Sequence, residues 1–354
     1  MEKATTYSFI DLGLWQTTIA DVKHAILPPS DDRPNPVVTD SMVVVSIFSP
    51  GAVYALERKT GKLLWRTEIV GYGGPSVYCG YGRMFAKSSH TLYALNPNSG
   101  EILWTFCPYG PSGETMYSSP TMHGQNIFIG DRRGILHCLD IRTGKTRWQR
   151  RTNKAKNHDV NSTPLISEGR VIVGTNANRA VAYDARTGEV EWTRKLDGPS
   201  AFGPLRFQKL AAIFTDSIYL LNPKTGKITH KFSWKGDGIT RATTTAREIV
   251  GTLRGKFPPS SDTQLVGVNK ARIQYSILHQ CWVGFVRYAR ATNLIYMSHL
   301  NGISAFRPNN GRLIWDIRLA DDQPEGVGLV DVREKVIYAL TGKGHIFALR
   351  HPEA

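Results

Sequence analysis

An eleven-residue frame that returns at intervals of 38 to 44 residues limits this 354-residue chain more than any other feature. A repeat of that period must be one small structural unit stacked on copies of itself. The frame reads Ala55-Leu56-Glu57-Arg58-Lys59-Thr60-Gly61-Lys62-Leu63-Leu64-Trp65. It returns as Ala94 to Trp104, Cys138 to Trp148, Ala182 to Trp192, and Ala305 to Trp315. In a further copy, Leu220 to His230, histidine takes the tryptophan place. The turn glycines 61, 100, 144, 188 and 226 lie 39, 44, 44 and 38 residues apart.

Each frame pairs an alternating apolar strand with an Asp/Asn-x-x-Thr-Gly turn. Glycine there supplies a positive φ, and the Asp or Asn side chain bonds the local backbone. A second strand follows and carries the tryptophan. Two more short strands precede each frame, as in Ser162–Ser167 and Arg170–Gly174. Four strands of about five residues per unit is the spacing of a propeller blade, not of a βαβ unit. No stretch keeps a 3.6-residue period, so little helix is expected.

The 85 residues between Gly226 and Gly311 leave room for two units. The extra copy is degenerate: Gly267-Val268-Asn269, then Ile273-Gln274-Tyr275, with tyrosine for tryptophan. Residues 256–263 hold Pro258-Pro259 and read as a loop insertion in blade six, because proline cannot donate within a central strand. The eighth copy is split. His345–Arg350 matches a third strand, and the unassigned strand-like stretch Tyr7–Trp15 stands at the other end of the chain. Residues 1–15 are therefore expected to supply the outer strand of the last blade. That closes the ring and removes exposed strand edges. The expectation is an all-β, eight-bladed propeller of four-stranded antiparallel blades, forming one domain over 1–354.

The Ala-x-Asp-x-x-Thr-Gly-x-x-x-Trp frame resembles the tryptophan-docking repeat of quinoprotein alcohol dehydrogenase-like propellers, and the resemblance covers essentially the whole chain. It implies that Trp65, Trp104, Trp148, Trp192 and Trp315 dock one blade onto the next. The dehydrogenases of that family carry an adjacent-cysteine ring and calcium ligands over a quinone. Here Cys79, Cys107, Cys138 and Cys281 are far apart, and no C-x-x-C-H haem motif occurs. The expectation is therefore no cofactor, no metal site and no quinone-dependent dehydrogenase activity. A non-catalytic branch of the same superfamily includes the propeller lipoprotein of bacterial outer-membrane assembly and sensor propellers attached to kinases. The chain is similar to that branch in size, but it shows neither a lipid-acceptor cysteine nor an apolar signal segment in Met1–Tyr7.

Apolar residues make up 41% and charged residues 21%, which suits a soluble globular domain with a real core. No apolar run approaches a membrane span, and the expectation is a monomer, cytoplasmic as the sequence stands or exported if a signal was trimmed ahead of residue 1. The formal charge of +15 favours anionic partners through long-range attraction. The basic run Arg147, Arg150, Arg151, Lys154 and Lys156 lacks interleaved aromatics, so nucleic acid is not an expected partner.

Propeller ligands sit at the channel mouth, on loops that lead from one blade's last strand to the next blade's first. Those loops place Arg33, Tyr117, His158, Asp159, Arg241, Trp282, Asp322 and Glu325 as candidate ligand-binding residues. His158 beside Asp159 is a candidate general base, with Tyr117 or Arg241 holding an anionic substrate. Asp321, Asp322 and Glu325 with Asp31 or Asp32 form an acidic set whose simpler reading is solvated loop. Two readings follow: a non-catalytic binding or scaffolding propeller for a protein or small anionic ligand, and a lyase or hydrolase acting on an acidic small molecule or saccharide.

Overall fold

The repeated turn explains the local structure. In the third copy the Asp140 carboxylate accepts the backbone N–H groups of Arg142 and Thr143, each at 2.9 Å. Its other oxygen takes the Arg147 guanidinium, and these bonds, led by that of Arg147, hold the carboxyl down at about 2. Gly144 follows with φ +69°, which a residue bearing Cβ adopts only under strain. Asp184 and Asn222 accept N–H groups in the same way one and two blades later.

The computed structural model describes residues 4–19, 36–47, 49, 51–70, 73–110, 116, 118–152, 160, 162–200, 203–233, 239–253, 263–269, 273–279, 283–299, 302–319 and 331–353. They form eight sheets, seven of four strands and one of five. In blade 3 the strands run in sequence order Thr121–His123, Asn126–Gly130, Ile135–Asp140 and Thr146–Arg151. The middle two are buried almost throughout. The last is exposed except at Trp148. First strands touch one another from blade 3 through blade 7, and from blade 8 through blade 1 to blade 2, so they line the centre of the ring.

The core lies between blades. Phe128, Leu136 and Trp148 of blade 3 cluster with Val171, Val173 and Tyr183 of blade 4. The docking geometry is specific. A Cβ on Gly144 would sit 2.6 Å from the Trp104 ring of the preceding blade, so the turn glycine is required twice, by its φ and by this approach. The indole N–H of Trp65 donates to Pro97 O at 2.9 Å, and those of Trp104, Trp148 and Trp192 reach the matching carbonyls of Ile141, Ala185 and Pro223. A buried indole thus keeps its one donor satisfied while covering apolar area. Across each sheet it faces a small residue, Ala55, Ala94, Cys138 or Ala182. Burial pushes the Cys138 thiol up to about 12, as befits packing and not reactivity.

Both ends of the chain build blade 8. Gly13–Thr18 pairs antiparallel with His345–Arg350, from Gly13 opposite Leu349 to Thr18 opposite His345. Trp15 from that strand donates to Arg58 O of blade 1 at 3.0 Å, as the other docking indoles do. The chain start divides between two blades, however. Thr5–Ser8 runs parallel along Leu313–Arg318 and adds a fifth strand to the outer edge of blade 7. A single helical turn, Phe9–Leu12, carries the chain across, held by Ser8 N–H and Oγ on the Asp11 carboxylate at 2.7 Å.

Three frames depart from the rule. His230, in the tryptophan place of blade 5, is exposed and stacks on Phe232. Tyr275 of blade 6 lies over Gly267 of its own blade and donates to the Glu248 carboxylate at 3.2 Å. Trp315 packs at the blade 8 side against His351, ring centroids 5.5 Å apart, with no acceptor for its indole N–H among the described residues. Of the segment 256–263, residues 256–262 lie outside the described residues, and Thr263 already belongs to strand Thr263–Val268.

Candidate functional site

Antiparallel blades put the second-to-third-strand turns and the blade-to-blade connections on one face of the ring. The other two kinds of turn lie on the opposite face. The first of these, called here the connection face, is where the sequence places its candidates. Arg33, Tyr117, His158, Asp159, Trp282, Asp322 and Glu325 lie outside the described residues. Arg241 is placed by its backbone alone, on the first strand of blade 6, Ile239–Thr244, opposite Thr252.

Within the described residues the same face carries polar stations that the sequence reading did not single out. In blade 3 the Asp131 Oδ2 accepts the Tyr109 hydroxyl at 2.6 Å and lies 2.8 Å from His137 Nε2. Its Oδ1 takes the backbone N–H groups of Arg133 and Ile135, each at 2.9 Å. Asp131 and His137 are essentially inaccessible, at 0% and 2% exposure. Burial works to raise the Asp131 carboxyl, but the bonds from His137, Tyr109 and Ile135 outweigh it and hold the group below its usual value. Burial first, then the Asp131 bond, pushes the Tyr109 hydroxyl well above the usual tyrosine range. Arg133 lies over the Tyr109 ring at 4.0 Å.

Blade 5 repeats the plan with other residues. Asp197, on the connection from blade 4, accepts Thr215 and Ser217 hydroxyls at 2.6 Å each and pairs with Lys231 at 3.1 Å. Burial opposes ionisation there too, and the two hydroxyls with Lys231 outweigh it, so the carboxyl stays strongly depressed. In blade 7, Asp316 accepts Ser304 Oγ at 2.7 Å and lies 3.1 Å from His299 Nε2. Blade 2 carries a buried lysine, Lys87, whose Nζ donates to Met116 O at 2.5 Å.

These stations share a position. Tyr54, Tyr93, His137, Tyr219 and Ser304 each stand one residue before the small or apolar residue that faces the docking ring. Tyr93 OH takes the Val70 N–H, and Tyr219 OH takes the Asp197 N–H, both on connections arriving from the preceding blade. His137 does the same through Asp131 to Tyr109. Tyr93, Tyr219 and, through Asp131, His137 thus staple three connections to the ring. Asp131, buried and with both oxygens engaged, is not placed to exchange protons with a substrate.

A quinone with its metal calls for convergent ligands. Among the described residues no group of three or more His, Cys, Asp or Glu could hold a metal ion, and Cys79, Cys107 and Cys138 are free thiols. The described residues do not fit such a group. Among them, too, no helix is long and apolar enough to cross a membrane.

The family model described as outer membrane protein assembly factor BamB matches residues 13–235. Among curated proteins, the chain is similar to outer membrane protein assembly factor BamB of Legionella pneumophila (strain Paris), 27% identical over 139 residues, covering 37% of this chain and 34% of that one. It is also similar to tetrathionate hydrolase of Acidithiobacillus ferrooxidans, 31% identical over 142 residues, covering 32% of this chain and 28% of that protein. The matched stretch thus spans about a third of those relatives' length. Among solved structures, quinohemoprotein alcohol dehydrogenase from Comamonas testosteroni matches 96% of this chain and 76% of its own, at 13% identity and a TM-score of 0.74. BamB from Moraxella catarrhalis matches 96% and 99% at 15% identity and a TM-score of 0.52. At such identities the structures establish the fold alone.

Proposed function

The chain belongs to the family described as outer membrane protein assembly factor BamB, and on that premise we propose that it is a non-catalytic propeller that binds a protein partner through its connection face. The observation that carries this reading is the stapling of that face. The carboxylates of Asp131, Asp197 and Asp316 are each committed to two or more internal donors. The described connection residues Val70, Tyr109 and Asp197 are pinned to the ring, which lowers the ordering cost of binding there. The charge of +15 steers an acidic partner toward it. On this reading Arg33, Arg241 and His158 are contact residues for that partner, with Trp282 as an aromatic anchor.

The second reading, a hydrolase or lyase acting on an acidic small molecule at the channel mouth, draws support from the tetrathionate hydrolase similarity. It would use His158 as general base, with Tyr117 and Arg241 as anion holders.

One experiment separates the two. The full chain and a His158→Ala, Arg241→Ala variant are used for affinity co-purification from the native host. The recovered partner is then purified and titrated against both proteins, beside a turnover screen of acidic metabolites. The proposal expects direct binding weakened in the variant and no turnover by either protein. Turnover by the wild type that is lost in the variant overturns it.

A further inference from the structure

The opposite face holds a feature that the connection-face reading does not use. Two clefts of about 250 and 190 Å³ adjoin there, sharing Asn293, Pro308 and Asn309. The larger lies between blades 6 and 7, where Thr245–Arg247 of one blade meets Tyr288 and the Pro308–Asn309 turn of the other. The smaller continues past that turn to Arg307 and Glu353, near the blade 8 end of the chain.

The walls are fixed by internal bonds. Thr245 Oγ1 accepts the Arg247 and Glu248 N–H groups at 3.1 and 3.0 Å, which closes the blade 6 turn. The buried Glu248 carboxylate accepts Asn309 N–H at 2.7 Å and Tyr275 OH at 3.2 Å, so its charge is engaged by the wall itself. Tyr288 OH donates to Asn293 Oδ1 at 3.0 Å. Asn293 and Asn309 both hold positive φ, at 53° and 72°, conformations that asparagine tolerates better than other residues with a Cβ. By contrast, Arg247 and Arg307 are exposed, and among the described residues neither guanidinium pairs with a carboxylate.

We infer that this groove takes an extended acidic peptide segment, with its carboxylates on Arg247 and Arg307 and its main chain over the Asn293 and Asn309 amides. Guanidinium pairs with carboxylate through two parallel bonds, and an aromatic such as Tyr288 gives a flat contact beside them. The two arginines line different clefts on either side of the Pro308–Asn309 turn. A single small anion meets one of them, whereas an extended chain crosses both. Glu353 repels acidic residues at the blade 8 end, which places the peptide's carboxylates over blades 6 and 7. The site lies on the face opposite the one assigned to the protein partner, so either assignment can fail without the other.

The test is fluorescence anisotropy on the full chain with a labelled Glu-Ser repeat octapeptide and its Gln-Ser counterpart. Wild type is compared with an Arg247→Gln, Arg307→Gln variant and with a charge-matched Arg142→Gln, Arg186→Gln variant, whose changes lie on turns of the same face in blades 3 and 4. Loss of two partly exposed charge pairs should weaken acidic-peptide binding about tenfold in the first variant. The control variant should bind as wild type does, and the Gln-Ser peptide should not bind. Equal weakening in both variants means diffuse charge attraction and overturns the site. So does absence of acidic-peptide binding to wild type, or displacement of the peptide by inorganic phosphate as readily as by unlabelled peptide.

Discussion

Seven of the eight blade junctions fall into two arcs, and the eighth, between blades 5 and 6, has the exposed His230 in the tryptophan place. From blade 8 through blades 1 to 5, each junction is closed by an indole N–H on a backbone carbonyl, at 2.9 to 3.3 Å, with the ring over the next blade's turn glycine. From blade 6 to blade 8 the closure uses groups that titrate. Tyr275 and Asn309 meet on the Glu248 carboxylate, and Trp315 packs edge-on against His351 with no acceptor for its N–H among the described residues. A junction therefore needs a flat apolar body with its polar tip satisfied, and an indole meets that need without charge. In blade 6, where tyrosine replaces it, a buried carboxylate enters, and the clefts open beside the same turns.

Variants in each arc sharpen that contrast. Trp148→Ala removes a ring that is 8% exposed and leaves a cavity between blades 3 and 4. Chemical denaturation should show a loss of about 3–5 kcal/mol, and a loss below about 1 kcal/mol would break the claim that the indole carries the junction. Tyr275→Phe keeps the ring but leaves the buried Glu248 with the Asn309 N–H as its one remaining donor among the described residues. The expected cost is about 1–3 kcal/mol, and it should shrink in acid, because burial raises the Glu248 carboxyl and so favours its neutral form there. An indifferent Tyr275→Phe variant would mean that the hydroxyl is not a docking group.

The smallest effect is pH dependence at the blade 7–8 seam. Burial lowers the His351 imidazole below its ordinary 6.5, and its Nδ1 accepts the Glu353 N–H at 3.1 Å. The unfolded chain takes up the proton first, so stability from this group is complete above 6.5 and is lost as pH falls from there toward the folded value. One group contributes a slope of at most about 1.4 kcal/mol per pH unit. Urea midpoints of wild type and His351→Gln, compared between neutral and mildly acid buffer, should differ in slope in that window. Parallel slopes would remove His351 from the account.

The repeat made most of the fold legible in the sequence, because turn glycine and docking ring recur in one frame and serve the same junction. It also marked the split blade. It did not show that Thr5–Ser8 would leave the closing strand and join blade 7, since a parallel edge addition has no frame of its own. Nor did it single out Glu248, which meets Tyr275 from 27 residues away, or Asp131, whose partners Tyr109 and His137 arrive from a connection and a neighbouring strand. A sign of the latter was present: His137 occupies the place that tyrosine holds in blades 1, 2 and 5. The loop candidates, His158 and Arg241 among them, stand on segments of irregular length, where residue type is the only signal and no repeat constrains position.

The central claim is that docking chemistry, not chain continuity, defines the regular arc, so the blade shared by both ends is as firmly closed as a blade of one segment. Native-state hydrogen exchange tests it directly. Amides of Gly13–Thr18 and His345–Arg350 should be protected as strongly as those of Ile135–Asp140 and Thr146–Arg151 in blade 3. Exchange of Gly13–Thr18 at the rate of a frayed terminus, with reduced protection of His345–Arg350, would contradict it.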